Sequence, residues 1–307
     1  MNDDPERSAL WAPLIARVTA AYLAVGVLAL GAWQVTRNPA WAIEFFRVPA
    51  AVLMVCLALT EFWLASLVIR HFSPDDLLRP GWTLIASSSG CQLIGMVCSQ
   101  ILGVQSRINP LVLSSHAGSL IPLMRKAGLL AGGTFRYAFL ACGMHFALKA
   151  YQRSGLRGRM RWMDWVVCVL FGAFLLRNVV DVIAAIRGGK TPDVWEMLGW
   201  PVDPLLWLLL LQALMLLRSA GQMGNGRIGL CWKAFSAAIF LTALGDVGLW
   251  VFNYGYLPWP WSSVTWYLWL PASAAFARAP AFQLEVVHDA HSVAGPFLYE
   301  VLNPYTP

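Results

Sequence analysis

Arg177 and Asp181 stand four residues apart in the stretch FLLRNVVDVI (174–183), with Asn178 directly after the arginine. On a helix that spacing puts guanidinium and carboxylate on one face, a turn apart, where they can pair. The surrounding run, from Trp162 to Ile186, is apolar. A charge at the centre of a bilayer costs about 2.5–3.5 kcal/mol, so each such group needs a partner or a purpose. The same demand falls on Glu61, Asp246 and His145, and on Arg17, Gln92, Gln100, Arg136 and Gln212, all inside apolar runs. Asp246 or Glu61 could bring a further acid to Arg177 or Arg136. Two readings stand. One is a polar pocket among helices that binds a ligand or ion or relays a proton; the other is structural glue, at about 0.6 kcal/mol per interhelical polar contact.

Other chemistry is thinner. A b-type haem needs an axial His, often two on facing helices. His145 is a candidate, but His71 is at a helix end and His116 is in a short Pro-bounded segment. A cofactor, haem or pigment included, therefore stays unassigned. EVVHDAH (285–291) carries one Glu-x-x-His, where di-iron bundles use two, so no metal site is read. SSSGCQ (87–92) lacks a Ser-His-Asp order, and GLLAGGTF (128–135) lacks the lysine of a phosphate loop. Serines in spans usually bond a carbonyl one turn back, and membrane glycines usually mark close packing. No catalytic residues emerge.

Composition names the solvent that must position these groups. The chain has 307 residues, 58% hydrophobic and 12% charged, with sixteen tryptophans and a mean hydropathy of +0.59. A soluble domain is closer to a quarter charged. Such a chain contacts the lipid bilayer. The apolar runs are long and continuous rather than alternating, which favours helices over a barrel. The six cysteines fall in apolar runs without a Cys-x-x-Cys pair and read as small buried hydrophobes.

A span takes about 20 apolar residues. On that measure the fold is all-α, a polytopic membrane bundle of about eight helices: 12–33, 48–69, 82–104, 127–150, 163–186, 201–218, 229–253 and 263–280. Segment 108–124 is short and Pro-bounded, so a re-entrant or interfacial piece is expected there. Residues 1–280 then form one transmembrane domain, and 281–307 a short cytoplasmic tail. The turn KAYQRSGLRGRMR (149–161) carries five basic residues and no acid, which places it in the cytoplasm. Both termini follow it inside; the cost is Arg107, Arg125 and Lys126 outside. The net charge of +6 is thus topological, with no nucleic acid partner implied. The aromatic cluster of Trp250, Trp259, Trp261, Trp266 and Trp269 falls on the outer side, as an interfacial belt or a wall for a bound lipid, quinone or pigment.

From about Gly128 onward the order of segments resembles the multi-pass sensor module of bacterial signalling proteins, the type found before diguanylate cyclase or histidine kinase domains. The likeness rests on FRYAFLACGMHFALKAYQ, a basic turn, RWMDWVVCVLFGAF with Asp164 just inside a helix, and WPVDPLLWLLLLQALMLLRSAG. It continues through ALGDVGLWVFNYGYLPWPWSSVTWYLWLPASAAFA. The resemblance implies a non-enzymatic protein of the bacterial cytoplasmic membrane. With only a tail after the last span, it is expected to act as a sensor-like or accessory subunit through a membrane or cytoplasmic protein partner. The alternative expectation is a secondary or proton-coupled transporter built on Arg177, Asp181 and Asp246. The topology has a direct check. A phosphatase fused after Gly158 should be inactive, whereas one fused after Pro258 should be active; the reverse pattern would invert the assignment.

Overall fold

The computed structural model describes residues 5–39, 41, 46, 48–108, 120–156, 160–189, 194–199, 201–222, 226–253 and 265–302. Hydrocarbon offers backbone amides no partner, so a segment inside it must satisfy its own hydrogen bonds. Accordingly the fold is all-α, with no strand among the described residues.

In chain order the helices are α1 (Pro5–Thr36), α2 (Val48–His71), α3 (Leu78–Ile108), α4 (Leu120–Leu130), α5 (Arg136–Arg153) and α6 (Trp162–Arg187). There follow a short α7 (Val194–Gly199), α8 (Val202–Gln222), α9 (Arg227–Asn253) and α10 (Trp266–Leu302). Among the described residues, five stretches are long and apolar enough to cross a membrane: Leu10–Thr36, Val48–His71, Trp162–Arg187, Met197–Gln222 and Arg227–Gly248. The remaining long helices, α3, α5 and α10, carry more polar residues. Of these, α3 packs on α2 and α5, and α10 on α9, α2 and α1.

Two boundaries differ from the sequence expectation. Most of 108–124 lies outside the described residues, but Leu120–Leu130 is helical and runs through a π-turn, Ala131–Phe135, directly into α5. The part that is seen therefore extends the fourth helix. At the other end, α10 passes Ala281 without a break, keeping its helix through Pro271 and Pro280. Gln283, Leu284, Glu285 and Val287 are buried, so the segment expected as a tail begins as part of the packed bundle.

Without an apolar driving force between helices in lipid, small residues set how closely they approach. Helix α3 shows this at two levels. A Cβ on Gly143 would lie 2.7 Å from the Gly81 carbonyl oxygen, and one on Gly95 would lie 2.6 Å from Gly132 Cα. Gly81 and Gly95 are fourteen residues apart, close to four turns at 3.6 per turn, so they share one face. Antiparallel to them run Gly143 and Gly132. The seam joins α3 to α5 at one end and to the π-turn at the other.

Between the helices lies a core that includes Trp82, Ile85, Leu140, Met144, Phe235 and Phe276. Trp232 Nε1 donates to Tyr151 Oη at 2.7 Å, which satisfies the one polar edge of a buried indole. Replacing Gly95 or Gly143 with Leu should lower stability by about 1–3 kcal/mol, the usual penalty of overpacking. Gly172, with nothing within 4 Å of its absent Cβ, should accept Leu without loss. Thermal unfolding in detergent reads both; equal tolerance at the three positions would contradict the seam.

Candidate functional site

The π-turn holds one extra residue against α3, and such turns recur at functional sites. It is pinned on the other side as well. Thr134 Oγ1 donates to the Leu198 carbonyl of α7 at 2.6 Å, and a Cβ on Gly133 would meet Val202 of α8 at 3.2 Å. Immediately below, the chain presents Arg136 and Tyr137 from the first turn of α5.

These residues face a cavity of about 770 Å³. Its walls come from α2 (Met54), α3 (Gln92), the α4–α5 rod (Lys126, Arg136), α8 (Asp203), α9 (Asp246) and α10 (Trp269). They lie toward the end of the bundle opposite the C-terminal end of α5. Arg136 is buried, its guanidinium 4.9 Å from the centroid of the Phe276 ring and 5.4 Å from that of Tyr137. Aromatic faces hold a cation without neutralising it. Asp246 accepts hydrogen bonds from Trp269 Nε1 at 3.1 Å and from Tyr137 Oη at 3.4 Å, so its carboxylate is fixed in direction. Among the described residues Arg136 forms no ion pair within 4.0 Å, although it lies in Coulombic range of both Asp246 and Glu61.

Glu61 stands outside the cavity lining. It is buried, takes a hydrogen bond from Ser89 Oγ at 2.8 Å, and its second oxygen has no hydrogen-bond partner among the described residues. Gln92, also buried and lining the cavity, leaves its Oε1 without one.

The residues expected to act together divide into separate places. Arg177 and Asp181 do pair, Nε to Oδ2 at 3.6 Å, but on an exposed face of α6, with side chains 43% and 58% accessible. Arg177 also lies in Coulombic range of Asp203; Asp246 and Glu61 are bonded elsewhere. Asn178 is half-buried and His145 exposed on α5. Trp266 and Trp269 meet edge-on at 5.7 Å, and of the two Trp269 enters the cavity wall. Trp259, Trp261 and the Trp250 side chain lie outside the described residues. Lys126, Asp203 and Tyr137 were not singled out as site residues from sequence. In the sequence Lys126 is only a basic residue on the outer side, and Asp203 only part of the segment WPVDPLLWLLLLQALMLLRSAG.

At the opposite end, polar contacts lock helices together. Asp164 is fully buried and holds Arg218 of α8 through both guanidinium nitrogens, Nη2 to Oδ1 at 2.8 Å, while also accepting the Arg161 N–H at 2.6 Å. Arg227 pairs with Glu285 at 3.2 Å, and His71 meets His288 edge-on at 4.9 Å. Thus two members of EVVHDAH serve interhelical contacts. Removing one partner of a buried pair strands the other. Arg218→Met should therefore cost about 3 kcal/mol, and adding Asp164→Leu should recover part of it. A double mutant more damaged than Arg218→Met alone would show the pair is not the source of the loss.

No family model, no curated protein and no solved structure matches the chain, so the reading of its function rests on the geometry of these two ends.

Proposed function

We propose that the protein is a membrane receptor of the sensor type, in which a ligand bound in the Arg136/Asp246 cavity alters how the far end of the bundle engages a partner protein. The observation that carries this reading is the course of α10. One continuous helix contributes Trp269 and Ser273 to the cavity, Phe276 to the Arg136 guanidinium, and Glu285 and His288 to the contacts at the other end. A ligand touching the first of these acts on the same element that meets Arg227 and His71. In this reading the chain crosses a bacterial cytoplasmic membrane eight times with both termini inside. The cavity then faces out and the α10 terminus faces the cytoplasm. The likeness to bacterial sensor modules supports the same assignment.

A transporter is the second reading, favoured by Glu61. Its carboxyl group is buried in a span, bonded by Ser89 and within range of Arg136, and intramembrane carboxyls of that kind serve proton relays.

The two readings separate in one preparation. Truncation after His288 should release a protein that co-purifies with the full chain in mild detergent, leaving the bundle folded. If every co-purifying protein stays, the receptor reading fails. In proteoliposomes the same chain should show no proton-coupled flux; a flux abolished by Glu61→Gln would establish the transporter instead.

A further inference from the structure

We infer that the cavity receives a neutral, hydroxyl-bearing lipophile, whose oxygen accepts from the Arg136 guanidinium and whose O–H donates to Gln92 Oε1. This rests on the receptor reading and specifies its ligand. The charges around the cavity argue against an ionic head. Arg136 lies in Coulombic range of both Asp246 and Glu61. Asp203 lies in range of Arg177 and Asp246, and Lys126 has an interaction of its own. What the wall lacks is hydrogen bonds. Tyr137 and Trp269 are committed to Asp246, and Thr242 to the Ala238 carbonyl. Arg136 is buried with the rings of Phe276 and Tyr137 beside it, and forms no hydrogen bond among the described residues. Gln92 Oε1, buried and lining the cavity, also lacks a partner among them. Buried polar groups are seldom left so, which makes these two the unmet groups that a ligand would satisfy.

The two sit at one level of the bundle. Gly95 meets Gly132, and Gly81 meets Gly143 further along the same antiparallel seam. Gln92 is three residues from Gly95 toward Gly81, and Arg136 four from Gly132 toward Gly143, about one turn along each helix. A hydroxyl both accepts and donates at one atom, so one group meets both needs. A carbonyl or an ether would leave Gln92 Oε1 unmet, and an ammonium would leave Arg136 unmet. Met54, Met96, Leu130 and Val202 supply apolar wall for the body of the molecule. Leu129 lines the cavity and is also 67% accessible, which gives the mouth an apolar edge. About 770 Å³ lies within the range of pockets that enclose a drug-sized molecule. A phenolic ring, as in a quinol, and a glyceride with a free hydroxyl share the required chemistry.

Matched probes test the inference without any partner protein. The full chain is placed in phosphatidylcholine nanodiscs, whose lipid carries no free hydroxyl, and thermal unfolding is followed against probe content. Para-decylphenol should raise the midpoint saturably if the source is a phenolic ring, and dioctanoylglycerol if it is a glyceride. Para-decylanisole and acetylated dioctanoylglycerol keep the body and an acceptor oxygen but lose the O–H. Each should bind about three- to tenfold more weakly than its parent, the loss of one neutral hydrogen bond. In Gln92→Leu that gap should close, with only the hydroxyl probe weakened; equal weakening of both members of a pair would make Gln92 structural and overturn the contact. Arg136→Met, where it folds, should weaken both members about ten- to a hundredfold, the loss of a hydrogen bond from a charged donor. Para-decylbenzoate, ionised at neutral pH, should bind no better than the phenol. Tighter binding by the benzoate would overturn the neutral head in favour of an anion. No saturable response to either hydroxyl probe would leave the cavity to water and overturn the inference outright. Because no partner enters the measurement, hydroxyl binding can fail while the truncation result stands, and the reverse.

Discussion

The approach of Gly95 to Gly132 is the constraint on which the candidate site depends. A single methyl at Gly95 would overlap the facing backbone, so α3 and the π-turn are held at a distance only hydrogen can fill. That distance fixes where the extra residue of the π-turn bulges, and the bulge sets the direction in which Arg136 and Tyr137 leave the start of α5. Thr134, bonded to Leu198, holds the turn from the opposite side. A helix wound normally through 131–135 would rotate every later residue of α5 relative to α3, and Arg136 would lose its position over Phe276.

The polar groups sort by what surrounds them. Those at the basic end are paired: Asp164 with Arg218, which is largely buried, and Glu285 with Arg227, whose side chain is half exposed. Satisfied buried groups fix register and add little free energy beyond their own desolvation. At the cavity end Arg136 and Asp246 are held by aromatic rings and neutral aromatic donors, which orient charge without cancelling it. The difference separates a fastening from a site, although the residue types at the two ends are alike.

Much of the fold was legible because lipid removes choices: an apolar run of sufficient length has to be a helix. Glu61, Asp246 and Arg136 were recognisable as costly for the same reason. Which of them meet was not. The i, i+4 spacing of Arg177 and Asp181 fixed their common face, but a helix apolar on all sides gives no sign of which face looks inward, and α6 turns that pair away from the bundle. The π-turn was also hidden, since AGGTF reads equally well as an ordinary packed turn. Asp203 was obscured by its place at a helix start, where an acid is favoured for local reasons.

Helix α10 carries one more consequence. Proline inside a helix supplies no N–H to the carbonyl four residues earlier, so Pro271 and Pro280 leave the carbonyls of Tyr267 and Phe276 without their ladder bonds. Bending resistance is lowest at such points. The first falls between Trp269 and Ser273 in the cavity wall, and the second lies between Phe276 and Glu285. Between the cavity and the Arg227 ion pair the helix thus has two joints, one beside the cavity and the other past the ring that carries the cation. Its middle piece, residues 272–279, is buried along most of its length, so a bend at either joint has to be taken up by the helices packed against it.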